Sequence, residues 1–467
     1  MTNFADSALL SPLDGRYRAE TSPLAEFLSE AALNRDRLKV EVEWLIFLST
    51  NEVLPGAPVL REGEIAYLRG LVDDFGEADI ARMAQIEAET KHDVKAVEYF
   101  LKEKMDAAAD ALGETSLPQM HEIVHIFATS EDINNTAYAL NIQGAVAQVW
   151  LPQAQAFVDE LSQRAREYAE LAMLSRTHGQ AASPTTLGKE FAVLAWRLTR
   201  QLDRIKGAAY LGKFNGATGT YGAHVASVPE ADWPALAKQF VEGLGLTFNP
   251  LTTQIESHDW MAELFSDVAR FNRIAHNLAT DFWTYISLGY LKQNLATQGT
   301  TGSSTMPHKV NPIRFENAEA NLEISCSILD TLGATLVTSR MQRDLTDSSS
   351  LRNVGVAFGH SLLALKNLRR GLAGVDANPQ RLDEDLEQAW EVLAEPIQQV
   401  MRTASIAGAE GMDDPYERLK DLTRGHAVGE EEMRAFIYSL NLPADVEERL
   451  AHLTPATYTG VAAKLVP

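Results

Sequence analysis

The 467-residue sequence predicts an all-α fold built around long packed helices. Apolar residues recur at intervals of three or four along most of the chain, a spacing typical of helices that bury one face. Segments with strict apolar–polar alternation are few, and no succession of strand and helix patterns indicates a doubly wound sheet. A helical bundle is therefore the predicted architecture.

Three stretches show this periodicity most clearly. The longest runs from Leu264 to Ile286 and predicts an unusually long helix. A second pattern begins at Leu187 and continues to Ile205. A third spans residues 157–172 and predicts a further helix through Tyr168 and Ala172.

Two turn-rich breaks suggest domain boundaries. Residues 113–118 (GETSLP) precede a long helical stretch, and the helices become shorter after residues 371–379 (GLAGVDANP). These breaks predict an N-terminal helical domain (1–118), a central bundle (119–373) and a C-terminal helical domain (374–467).

Composition limits the classes of partner and compartment. Acidic residues outnumber basic ones 64 to 41, for a formal charge of −23, so nucleic acids and anionic membranes are not expected as partners. An anionic ligand would need a locally basic site. The single cysteine, Cys326, cannot form an intrachain disulfide, and its apolar helical context predicts a core residue. No signal peptide or membrane-spanning run is recognised, which favours a cytoplasmic location.

The segment from Gly302 to Pro312 (GSSTMPHKVNP) concentrates candidate chemistry. Asn311 and Pro312 look like the N-cap and first residue of a helix. Lys309, two residues before it, together with free backbone N–H groups, could bind a carboxylate. Taken alone, the segment is equally well interpreted as a glycine-rich surface loop.

Two further strings carry histidine and hydroxyl groups. Ser175 to Gln180 (SRTHGQ) places His178 in a polar turn, and a histidine side chain can release a proton near neutral pH. Thr129 to Asn135 (TSEDINN) has the Thr129–Asp132 spacing of a capping box, which by itself explains both residues.

The complete Gly302–Asn311 string resembles the signature loop of the fumarase/aspartase superfamily, Gly-Ser-Ser-x-Met-Pro-x-Lys-x-Asn. The resemblance implies a three-domain helical fold and a homotetramer whose active sites are each shared by three subunits, without metal or cofactor. It also implies that Ser303 is the base, although the neighbouring Ser304 stays open. Lys309 and Asn311 would then stabilise the carbanionic intermediate. The Thr177-His178 and Thr129-Ser130 strings resemble its other conserved regions, in which His178 would be the general acid and hydroxyls hold the succinyl carboxylates.

Other strings resemble the branch of this superfamily that acts on succinylated purine nucleotides. The implied reaction is β-elimination of fumarate from adenylosuccinate, giving AMP, and from the succinylated aminoimidazole carboxamide ribonucleotide of purine synthesis. Arginines suit the nucleotide phosphate because the guanidinium is planar and always charged. The residues that the resemblance adds to the substrate site are Arg16, Tyr17, His92, Asp93, His125, Gln254, Arg343, Ser348 and Arg352.

Competing interpretations remain. His121 to His125 (HEIVH) matches the H-E-x-x-H zinc-peptidase motif, which would put both imidazoles on one helical face, but no third ligand follows at a recognised spacing. The glycine-rich residues 216–222 lack the spacing of a dinucleotide loop and predict a turn. A sister lyase acting on argininosuccinate, or a structural protein recruited from the same superfamily, would share the fold.

Overall fold

A computed structural model of the chain describes residues 9–294, 306, 310–423 and 428–467. Most of these residues are helical, and the strands form three two-stranded sheets. The predicted all-α class is confirmed.

The contacts divide the chain into two compact units, each assembled from separated segments. Unit 1 comprises Met1–Ala154, Gln201–Arg273 and Ala320–Ala364, and unit 2 comprises Gln155–Arg200, Ile274–Glu319 and Leu365–Pro467. The three sequential domains stay a prediction.

The N-terminal part of unit 1 is a series of helices joined by short turns. The Ser29 hydroxyl accepts a hydrogen bond from the Ala32 amide and so caps the second helix, much of which is buried. The helices are α1 (Arg18–Leu28), α2 (Glu30–Thr50), α3 (Glu62–Asp73), α4 (Glu77–Thr90), α5 (Asp93–Asp106) and α6 (Ala108–Leu112).

A long helical segment follows a 3-10 turn at Leu117–Ile123. It consists of α7 (Ser130–Ala145), a π-helical turn (Val146–Trp150) and α8 (Leu151–Glu167). Pro152 has no amide hydrogen, so regular i→i−4 bonding cannot continue through it, and the Leu151 amide bonds five residues back to the Val146 carbonyl.

The predicted helix over residues 157–172 ends early. α8 stops at Glu167, and Ala172 begins an antiparallel hairpin of β1 (Ala172–Thr177) and β2 (Gln180–Thr186). The extension of this helix through Tyr168 and Ala172 was therefore wrong. The hairpin segments are rich in Ala and Ser and contain a proline, so they lack the β-branched and aromatic alternation that signals a strand.

The two strongest periodic patterns are confirmed as helices. α9 spans Leu187–Lys206, and α12, of 30 residues, spans Asp259–Leu288. Between them lie β3 (Leu211–Gly212), α10 (Gly222–Ser227), α11 (Trp233–Gly243) and β4 (Thr247–Phe248), with β3 and β4 parallel.

The remaining elements complete both units. β5 pairs with β6 in antiparallel register. In chain order they are β5 (Leu291–Gln293), α13 (Ile313–Leu336), α14 (Thr346–Leu351), α15 (Val354–Ala373), β6 (Val375–Ala377), α16 (Pro379–Glu387), 3-10 Trp390–Leu393, α17 (Ala394–Ile406), α18 (Pro415–Thr423), α19 (Glu430–Ser439), α20 (Ala444–Ala451) and 3-10 Ala462–Leu465.

Aromatic clusters form the core of each unit. In unit 1 the ring of Trp44 lies 4.3 Å from that of Phe214 and 4.9 Å from that of Phe240. In unit 2 Phe191 of α9 stacks on Phe282 of α12 with 4.7 Å between ring centroids. Such contacts between buried aromatic rings stabilise the packing of the helices in each unit. Among the described helices, none is long and apolar enough to cross a membrane.

Candidate active site

The start of α7 is fixed by one buried carboxylate. Asp132 Oδ2 accepts a hydrogen bond from the Thr129 amide at 2.9 Å. Asp132 Oδ1 lies 2.7 Å from Lys213 Nζ, and neither side chain is exposed. The amides of Asn215 and Gly216 also donate to this carboxylate. The capping role that the spacing predicts for Asp132 is confirmed, and Thr129 and Ser130 are held beside residues 213–216.

The next residue, Glu131, was not singled out from the sequence. Its side chain is 6% exposed, and its Oε1 lies 2.9 Å from an amino group of Arg343. Arg343 also donates to Gln254 Oε1 at 3.3 Å, while Gln254 Nε2 donates to the Ala217 carbonyl. A buried acid therefore sets the position of a predicted substrate-binding arginine, and Gln254 lies against it.

The glycine-rich segment 216–222 contains a turn, as its sequence predicts, and Ala217 lies in that turn. A side chain on Gly219, at φ +74°, would lie within 2.3 Å of the Thr252 carbonyl oxygen. The turn can therefore approach residues 252–254 only because this position has no Cβ.

Arg352 belongs to a second group of charges in unit 1. Its guanidinium lies 2.8 Å from Glu30 and 3.4 Å from Asp93, and it donates to the Ser348 carbonyl. Asp93 also pairs at 2.8 Å with the buried Arg37. Burial would raise the pKa of Asp93, but the charges of both arginines and the Val94 amide hold it below its usual value.

Asp93, Arg343 and Arg352 line one open cleft of about 700 Å³ in unit 1. Six of the predicted site residues meet there, brought together from three separate segments of the chain. They are His92, Asp93, Ser130, Arg343, Ser348 and Arg352. His92 also caps α5 through its Nδ1, which accepts from the Lys95 amide at 3.2 Å.

The zinc-peptidase motif does not have the geometry it needs. The 3-10 helix ends at Ile123 and Val124 is extended, so His121 and His125 do not share a helical face. His121 Nε2 lies 3.0 Å from Asp106, whereas His125 Nδ1 lies 2.6 Å from Glu41. No group of three or more His, Cys or acidic side chains in the described residues could hold a metal ion.

Arg16 and Tyr17 do not line this cleft. The guanidinium of Arg16 lies 5.8 Å from the ring centre of Tyr17, just before α1. Neighbouring residues of the N-terminal turn, including Ser11 and Arg18, line a separate cavity of about 480 Å³ that also reaches Arg352. Within a single copy of unit 1, the structure does not bring the N-terminal motif to the cleft.

His178 lies in unit 2, at the exposed tip of the β1–β2 hairpin. Thr177 pairs with Gln180, and both loop residues between them have positive φ, 54° at His178 and 78° at Gly179, as a type I′ turn requires. The turn therefore leaves the His178 side chain exposed to solvent.

A polar cluster anchors this hairpin to the rest of unit 2. Arg176 donates to the Tyr290 hydroxyl at 2.7 Å and to Asp385 Oδ2 at 2.8 Å, and Arg381 lies 2.6 Å from the other Asp385 oxygen. Sequence inspection missed these positioning residues, because Tyr290, Arg381 and Asp385 stand more than 100 positions from Arg176.

Of the signature loop, the structure describes only Met306 and residues 310–312. Ser303 and Lys309 lie outside the described residues. Asn311 is half-buried, and α13 begins at Ile313, one residue later than the start that Pro312 predicts. Cys326 is buried as predicted; burial raises the pKa of its thiol to about 11.

Comparison with known sequences decides the family. A profile described as "Lyase" matches residues 15–327, and one described as "Adenylosuccinate lyase C-terminal" matches residues 339–459. The chain is 48% identical over 457 residues to adenylosuccinate lyase of Haemophilus influenzae, covering 98% of this chain and 97% of the relative. It is 46% identical over 460 residues to the Escherichia coli adenylosuccinate lyase, with the same shares. The chain belongs to the adenylosuccinate lyase family.

Solved structures show the same fold beyond this family. A fumarate lyase from Mesorhizobium sp. BNC1 superimposes with a TM-score of 0.74 at 19% identity, covering 95% of this chain and 96% of that one. The 3-carboxy-cis,cis-muconate lactonizing enzyme of Pseudomonas putida gives a TM-score of 0.73 at 19% identity, covering 96% and 97%. The fold that the signature string implies is therefore shared with proteins outside the family.

Proposed function

We propose that this enzyme eliminates fumarate from adenylosuccinate to leave AMP, and from the succinylated aminoimidazole carboxamide ribonucleotide in the same way. One structural observation supports the proposal independently of family membership. The unit 1 cleft gathers two arginines, hydroxyls and a histidine from three distant segments of a chain whose formal charge is −23. The guanidinium groups of this cleft are the kind of cation that an anionic nucleotide requires on a protein of net negative charge.

Arg343 and Arg352 are the proposed phosphate and carboxylate ligands. Both guanidiniums are held by acidic side chains, so each is oriented before substrate binds, which lowers the entropic cost of binding. Thr129, Ser130 and Ser348 supply neutral donors. Because Asp93 and Glu131 face cations, we assign them to positioning the arginines rather than to contacting anionic groups.

In the proposed chemistry, Ser303 removes a proton from the succinyl carbon beside a carboxylate. The electron pair moves into that carboxylate, where Lys309, Asn311 and the N-terminus of α13 stabilise the charge. The carbon–nitrogen bond then breaks, the carbon–carbon double bond of fumarate forms, and His178 gives its proton to the departing nitrogen. No cofactor takes part in any of these steps.

We further propose a cytoplasmic homotetramer whose active sites are shared between subunits. On the unit 2 segments of α9 and α12, Trp196 is 64%, Trp283 42% and Val193 41% exposed. Exposed large apolar side chains on long helices fit burial against other copies of the chain. A shared site would also give Arg16 and Tyr17, which lie outside the cleft of their own unit, access to a neighbouring one.

The test is an assay of purified, EDTA-treated protein with adenylosuccinate. We expect fumarate and AMP in equal amounts, and Ser303→Ala should abolish turnover while AMP still binds. Absence of products from the unmodified enzyme would refute the proposal and make argininosuccinate the next substrate to assay. Activity restored only by zinc would revive the metallopeptidase interpretation.

A further inference from the structure

The loop before α7 contains a buried ion pair that no step of the proposed reaction uses. His125 Nδ1 lies 2.6 Å from Oε1 of Glu41, whose side chain is 0% exposed, whereas the His125 side chain is 16% exposed. The other Glu41 oxygen, Oε2, is buried without a hydrogen-bond partner. Glu41 is therefore a buried carboxylate whose partner is an imidazole at the edge of the core.

Helix α2 holds the loop at two points. Trp44, one turn after Glu41, donates from its indole nitrogen to the Ile126 carbonyl at 3.0 Å. His125 and Phe127 both have left-handed backbone, with φ of 62° and 63°. Non-glycine residues adopt this conformation only where surrounding contacts impose it, so the position of the His125 ring is determined by α2.

The charges that face His125 come from three helices. α2 contributes Glu41; α5 contributes Glu98, whose Oε1 lies 3.9 Å from His125 Nε2; and α7 contributes Asp132. Lys95 neutralises Glu98 at 2.6 Å, and Lys213 neutralises Asp132 at 2.7 Å.

For Glu41, no lysine or arginine of the described chain lies within ion-pair distance. A fully buried carboxylate is costly unless a cation balances it, so the charge count calls for a protonated His125.

The pKa of His125 agrees with this count. Burial would lower it, but the hydrogen bond and charge of Glu41, with smaller contributions from Glu98 and Asp132, raise it above its usual value. With Nδ1 bonded to Glu41, the Nε2–H is left without a partner at normal hydrogen-bond distance. Because the His125 side chain is 16% exposed, this N–H can donate to an anionic ligand.

We propose that Glu41 is a positioning residue that keeps His125 as an imidazolium, whose Nε2–H binds an anionic group of the substrate. This inference rests on the proposed function, because it takes the substrate to be the anionic nucleotide. Glu41 itself touches no substrate. It acts only through the charge and orientation of His125.

The test compares Glu41→Gln with the unmodified enzyme at two pH values. Without the Glu41 charge, His125 returns to or below the ordinary histidine pKa, so the ratio of mutant to wild-type KM should reach about tenfold at pH 8 and fall to about twofold at pH 5.5. Taking the ratio at each pH cancels the titration of the substrate itself. kcat should change little.

Glu43→Gln is the matched control, since Glu43 lies on the same helix and pairs with Arg69 at 2.7 Å, away from the loop. It should leave KM unchanged at both pH values. If Glu41→Gln does not fold, Glu98→Gln should give a smaller pH-dependent rise of the same sign.

Two results would overturn the inference. A KM ratio near one at both pH values would show that His125 does not bind the substrate. A raised ratio that is equal at pH 5.5 and pH 8 would reduce Glu41 to a structural role. Failure of the proposed function is separate, because it would appear in the unmodified enzyme as absence of fumarate release.

Discussion

Replacing Arg343 by methionine tests the two roles assigned to this residue, which are to balance the buried charge of Glu131 and to bind the substrate. The guanidinium pairs with Glu131 at 2.9 Å, and the Glu131 side chain is 6% exposed. Removing one partner of a fully buried pair costs about 3–5 kcal/mol. Arg343 is 21% exposed, and Asn134 still donates to Glu131 at 2.8 Å, so we expect a smaller loss of about 2 kcal/mol.

The same change should weaken substrate binding by a different amount. Loss of a charged hydrogen bond to an anion costs about 1.5–3 kcal/mol, which corresponds to roughly a 10- to 150-fold rise in KM. The double variant Arg343→Met/Glu131→Gln removes the uncompensated buried charge. It should recover most of the lost stability while KM stays high.

Urea unfolding and initial-rate kinetics measure the two effects independently. Arg340→Met is the matched control, because Arg340 stands three residues away, is 81% exposed and pairs only loosely with Asp344 at 3.4 Å. It should resemble the unmodified enzyme in both assays. An unchanged KM in Arg343→Met would refute the binding role, and a double variant no more stable than the single one would refute the account of Glu131.

Three further outcomes are expected. The variant His178→Asn should fold, because asparagine tolerates the left-handed φ of 54° at this position. Its kcat should fall by about 10²–10⁴-fold with little change in KM. A kcat within threefold of wild type would exclude His178 as the acid. Burial would raise the pKa of Asp385, but hydrogen bonds from Tyr290 and Arg176 lower it below its usual value. Its contribution to stability is therefore present above the unfolded pKa of about 3.9 and is lost as the pH falls through the folded value. Asp385→Asn should accordingly be less stable than wild type at pH 6, with the difference shrinking toward pH 2 in urea titrations; a pH-independent difference would contradict this. Trp196→Glu should lower the sedimentation coefficient and the activity together, while Trp196→Phe retains both; a variant that stays assembled would place the interface elsewhere.

The local sequence was sufficient to predict the long helices but not to predict the β1–β2 hairpin. The apolar repeats at Leu187–Ile205 and Leu264–Ile286 mark α9 and α12, because a helix that buries one stripe must repeat every three or four residues. The hairpin at Ala172–Thr186 escaped prediction because its small and polar residues carry no strand pattern, and its pairing follows from the turn at His178-Gly179 and from contacts to α16.

Some residues of the candidate site could be predicted from the sequence and others could not. Motif strings pointed to Ser130, Arg343 and Arg352 one by one, and the fold brings all three to a single cleft. Glu131 and Glu41 were invisible to that approach, because an acidic residue on a helix is ordinarily a solvated one. Only burial beside a specific cation distinguishes them.

By itself, the sequence determined the helical class, the family and the segments that carry the chemistry, since periodicity and short motifs are properties of neighbouring residues. The tertiary structure decided which charges meet. Arg343 and Glu131 are separated by more than 200 residues, and Glu41 and His125 by 84, yet each pair lies within 3 Å. Electrostatic coupling depends on distance and burial in space, and neither is written in the order of the residues.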